Sequence, residues 1–142
     1  MTELPFEFWN KLASQLITIS SLLSGFSIAI TANLIVNDSN SRLENNILKV
    51  TTIASGCFLI TVFAMTRISM LTSDEFPKSI EYADLVFSKN IGIMAFVFGI
   101  TSLAVIISLS GWTKSRKTGI FTTSVGVITF LIILMTLIEI RF

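Results

Sequence analysis

The sequence predicts an all-α membrane protein of four transmembrane helices, with both termini on one side of the bilayer. Three observations predict it. Of the 142 residues, 52% are hydrophobic and 13% charged, with a mean hydropathy of +0.81, more apolar surface than a soluble chain of this length can bury. Four continuous apolar runs each reach the ~20 residues a helix needs to cross the hydrocarbon. The polar stretches between them are too short for a separate soluble domain, so residues 1–142 are expected to form a single four-helix transmembrane domain. A membrane β-barrel would show short alternating segments instead.

The expected spans are residues 12–36, 47–71, 91–111 and 119–140. Before the first, PFEFWNKL sets Phe6, Phe8 and Trp9 beside Glu7 and Lys11, the composition of an interfacial helix or aromatic belt. The connection 37–46 is rich in Asn, Ser and Asp and reads as a polar turn. In 72–90, Ile80, Tyr82, Leu85 and Val86 alternate with Glu81 and Asp84. That pattern extends a helix beyond the membrane and offers a surface to a protein partner. The connection 112–118, WTKSRKT, is tight and basic. Short connections make neighbouring helices antiparallel. Lysine and arginine do not settle orientation: Lys11, Arg67, Lys78, Lys89 and Arg141 fall on one side, and Arg42, Lys49, Lys114, Arg116 and Lys117 on the other. The compact basic cluster favours a cytoplasmic third connection.

Composition excludes several functions. A net charge of +1 points to no nucleic acid partner. The chain has no histidine and one cysteine, Cys57, inside an apolar run. The usual metal ligand and general base are therefore missing, and Cys57 reads as a small buried apolar group. No GxSxG or Gly-rich phosphate loop occurs. No metal, no cofactor and no enzymatic activity are expected. The N-terminus lacks the basic start and short apolar stretch of a signal peptide. The compact chain suits a bacterial inner membrane, its partners being the lipid bilayer and further copies of itself.

The first span is the unusual one. At helical spacing, Ser20, Ser24, Ser27 and Thr31 form a hydroxyl stripe, and Thr18, Ser21, Gly25, Ala29 and Ala32 a small-residue stripe. Along a third line run Gln15, Leu22, Phe26, Ala29 and Asn33, with amides near its ends. Close helix packing and pore lining both put such groups inside a bundle. The paired amides favour a pore, because they are costly in lipid unless they face protein or water. Gly92 and Gly99 in the third span, and Gly119 and Gly126 in the fourth, each stand one heptad apart, the spacing of close helix contacts. Arg67 and Glu139, near span ends on one side, are a possible ion pair, with snorkelling to the interface the simpler alternative.

At residues 20–26 the chain reads SSLLSGF, followed by SIAITANLIV. This resembles the pore helix of the Orai family, the store-operated calcium channels, which carry SALLSGF there. ITVFAM followed by Pro77, VFSKNIG at 86–92 and the four-helix layout are also similar to the family. The resemblance implies a ring of six subunits, the first helices surrounding a pore faced by Leu22, Gly25, Phe26, Ala29 and Asn33. Leu22 and Phe26 would form a constriction that gates by dewetting. With the third line, the pore-lining set is Gln15, Thr18, Leu22, Gly25, Phe26, Ala29 and Asn33. The family's selectivity glutamate falls on Asn33, its basic residue at the inner pore end on Thr18, and its acidic residue in the third helix on Gly99. A ring of neutral amides binds calcium far less than a ring of carboxylates, so calcium selectivity is not expected. The segment that receives the family's activating partner has no counterpart in these residues. The family orientation places WTKSRKT outside, against the charge preference.

The expected function is an oligomeric ion-channel-like protein, conducting cations through a pore lined by the first helix. Four helices alone are too few for a wide pore, so conduction requires a ring of subunits. Two alternatives stay open: a non-conducting anchor or accessory subunit with a partner on 72–90, and a membrane-depolarising effector of a bacterial toxin or phage-defence module.

Overall fold

A computed structural model of the chain describes residues 6–36, 41–73 and 82–139, with side chains over 7–36, 41–73 and 85–136. Four helices follow one another: α1, Phe6–Val36; α2, Arg42–Leu71; α3, Tyr82–Ser110; and α4, Arg116–Glu139. A single 3₁₀ turn, η1, Gly111–Thr113, joins α3 to α4. All four helices are long and apolar enough to cross a membrane. No strand occurs among the described residues, as expected where backbone groups must be satisfied without water. The chain is thus a multi-pass membrane protein.

Each helix begins before its expected span, 12–36, 47–71, 91–111 or 119–140. An apolar run marks only what the hydrocarbon covers, whereas a helix continues into its polar flanks until a cap ends it. The stretch 6–11 is therefore the first turns of α1, not a separate interfacial helix. α2 begins where the Ser41 hydroxyl accepts from Glu44 N–H at 3.2 Å, a local N-cap. α3 starts at Tyr82, inside the polar stretch 72–90.

Each helix packs antiparallel on its predecessor. The Asn10 amide at the start of α1 donates to Ser69 O and Thr72 Oγ1 at the end of α2, at 3.2 and 3.1 Å. Thr61 Oγ1 of α2 donates to Gly92 O of α3 at 3.3 Å. Thr122 and Thr123 of α4 both donate to Ser108 O near the end of α3, at 3.3 Å. The starts of α1 and α3 therefore share one end of the bundle with the end of α2. The start of α4 lies at the other end. A core of Ile47, Ala54, Phe58 and Ile106 sits between the helices, and a second, of Ala13, Met65 and Ile68, nearer the start of α1. Outward faces carry Phe63, Phe98, Phe121 and Met135, all exposed. Such a surface suits lipid and would aggregate in water.

Candidate functional site

α1 presents two chemically distinct faces, one packed on α2 and one exposed. Ser20, Ser24 and Ser27 are 0%, 1% and 0% exposed, and Thr31 is half-buried. Ser24 Oγ donates to Ser55 O of α2 at 3.4 Å, so the hydroxyl stripe forms the α1–α2 seam. α2 brings the buried Thr51, Ala54 and Ser55 to its own packed side. Small side chains let the two backbones approach. Thr31 and Thr51 hydroxyls bond back to carbonyls one turn earlier, Ser27 O at 2.9 Å and Ile47 O at 2.6 Å. The Ser20 and Ser27 hydroxyls are buried with no partner among the described residues.

The opposite face of α1 is open. Gln15, Thr18, Leu22, Gly25, Phe26, Ala29 and Asn33 are all exposed, as are Ser14, Ser21 and Ala32. Leu22 is 58% and Phe26 65% exposed. A Cβ added at Gly25 would meet nothing within 4 Å, and α1 passes through Gly25 without a break. Thr18 satisfies its hydroxyl on Ser14 O at 3.1 Å. No charged residue occurs from 12 to 36. At the start of this face Gln15 joins Glu7, Asn10, Lys11, Ser14, Thr72 and Ser73 around a polar cleft.

The four heptad-spaced glycines all meet neighbours. A Cβ at Gly92 would fall 3.2 Å from Ala64 Cβ, and one at Gly99 2.7 Å from the Phe58 ring. At Gly126 it would approach Ala104 O of α3 to 3.1 Å. Gly119 differs: its neighbour is the Trp112 ring of η1, 2.6 Å from such a Cβ, rather than a transmembrane helix.

Arg67 lines an apolar groove with Leu59, Ile60, Phe63, Phe87 and Ile91. The Glu139 side chain lies outside the described residues, as do 74–81, part of the expected partner surface on 72–90. No group of three or more His, Cys, Asp or Glu gathers among the described residues. Contacts that sequence reasoning did not anticipate tie the starts of α1 and α3 to the end of α2. Lys89 Nζ stands 4.3 Å from the Trp9 ring centroid, a cation–π distance, and Asn10 makes the bonds to α2 given above. The aromatic belt was the available signal for Trp9; its distant partner had none. Comparison with protein-family models, with curated proteins and with solved structures returned no match.

Proposed function

We propose that the protein is an oligomeric ion-channel-like pore, with first helices lining the conduction path and cations the permeant ions. One observation carries this reading: the open face of α1 is polar and small-residued along Gln15, Thr18, Gly25, Ala29 and Asn33. On a lipid-facing helix those amides would be expensive. Turned toward the same face of other copies, they meet water or protein. The Orai resemblance supports the same face and a ring of six. Uncharged oxygen-bearing side chains at Gln15, Thr18 and Asn33, with no lysine or arginine between them, suit cations. No carboxylate lies on this face between Gln15 and Asn33, so selectivity for calcium is not part of the proposal. Leu22 and Phe26 supply the apolar constriction. Termini on one membrane side and a bacterial cytoplasmic membrane are the setting proposed.

The test is ion flux through purified protein in liposomes, with Phe26→Ser beside the parent. A serine wets the constriction, so the variant is expected to leak at least severalfold more. No flux from either, with oligomers verified by cross-linking, rejects the pore and favours an anchor with a partner on 72–90. Growth arrest on expression that Phe26→Ser worsens would point to depolarisation as the biological output of the same pore.

A further inference from the structure

Charge is divided unequally between the two ends of the bundle. At the end where α4 starts stand Arg42, Lys49, Lys114, Arg116 and Lys117. Among the described residues at this end the one carboxylate is Glu44, and none occurs from residue 85 to 138 of the sequence. Lys114, Arg116 and Lys117 are all exposed and fall within four residues of one another.

Local structure fixes where these cations sit. Ser115 caps α4, its hydroxyl accepting from Thr118 N–H at 3.2 Å, and Lys114 N–H closes the 3₁₀ turn on Gly111 O at 3.3 Å. Trp112 lies against Gly119 and donates its indole N–H to Thr123 Oγ1 at 3.1 Å, while 45% of the residue stays exposed. An indole with a satisfied N–H and an open apolar ring belongs at the headgroup boundary. Placed there, it would set the three cations at the depth of lipid phosphates.

We propose that this end of the protein is a binding surface for anionic phospholipid headgroups, held by Lys114, Arg116 and Lys117 with Trp112 as the depth anchor. Arginine meets a phosphate through two parallel N–H bonds, and the lysines act as compact point charges. Clusters of basic residues beside a transmembrane helix attract anionic leaflets by this means. The inference rests on the membrane-spanning fold and not on conduction.

The test uses tryptophan quenching by lipids brominated at shallow acyl carbons. In Trp9→Phe protein the sole tryptophan is Trp112. Brominated phosphatidylglycerol is expected to quench it severalfold more effectively than brominated phosphatidylcholine at equal mole fraction. The preference should fall toward unity in Lys114→Gln/Arg116→Gln/Lys117→Gln protein, and for unsubstituted cations in ~1 M salt, where screening is ~3 Å. Trp112→Phe protein, reporting from Trp9 at the other end, should show no such preference. Equal quenching of Trp112 by both lipids overturns the proposal, as does an equal preference at both tryptophans. Displacement by millimolar inorganic phosphate overturns it too, as it would make free phosphate the ligand. Should the triple variant lose helicity, the salt series still decides.

Discussion

Gly99 lies directly under the ring of Phe58, so close that a methyl group on Gly99 would fall 2.7, 2.8 and 3.0 Å from Cε1, Cζ and Cδ1. Phe58 is 0% exposed and stacks edge-on with Phe96, ring centroids 6.3 Å apart. The ring has nowhere to swing. Gly99→Ala is therefore expected to destabilise the α2–α3 contact by about 1–3 kcal/mol, the usual range for overpacking. At Gly92 the nearest atom is Cε of Met65, at 2.5 Å, the movable end of an adaptable side chain, with Ala64 Cβ next at 3.2 Å, so Gly92→Ala should cost less. Unfolding titrations in mixed detergent micelles compare the two. Equal costs would refute the rigid-ring account.

The α1–α2 seam makes a prediction of opposite sign for chemically similar residues. Ser24 donates across the seam to Ser55 O, and Ser24→Ala should cost roughly 0.6 kcal/mol, the mean for interhelical hydrogen bonds in membranes. Ser20 and Ser27 bury hydroxyls without a partner among the described residues, an unfavourable state. Ser20→Ala and Ser27→Ala should leave stability unchanged or raise it. A loss near that of Ser24→Ala would show that these hydroxyls are bonded, for example to buried water.

Lys89 over Trp9 joins α3 to the first turns of α1. Lys89→Gln should cost about 0.5–1 kcal/mol, and Lys89→Arg should retain most of the contact. In Trp112→Phe protein, Trp9 emission reads the contact directly. Emission unchanged by Lys89→Gln would mean that the ammonium does not rest on the ring in the membrane.

Asn33 stands on the open face of α1, where the pore proposal puts it in a ring. Asn33→Asp would turn neutral amides into carboxylates, which bind divalent cations far better. Divalent permeation or block, measured in the liposome flux assay, should increase severalfold. If Asn33→Asp and Phe26→Ser both leave flux unchanged in correctly assembled protein, the chosen face of α1 does not line a pore.

Much of the architecture follows from the sequence alone. Apolar runs without charges force helices in a medium that offers the backbone no hydrogen-bond partners, and short connections force neighbours to run antiparallel. The Ser41 and Ser115 caps, which start α2 and α4 before the expected 47 and 119, came from the structure. The orientation of α1 was not legible. Both its hydroxyl stripe and its small-residue stripe are narrow enough to pack against another helix, and helical periodicity groups residues into faces without naming the partner of each. Tertiary packing decided it: Ser20, Ser24 and Ser27 face α2, leaving Gln15, Leu22, Phe26 and Asn33 exposed. It also decided that Lys89 meets Trp9, and Asn10 meets Thr72, pairs separated by some 60 to 80 positions. The sequence by itself determined that four helices cross the membrane, because crossing depends only on local hydrophobicity and length. Which faces meet depends on side chains brought together from distant segments, and only the folded bundle supplies that information.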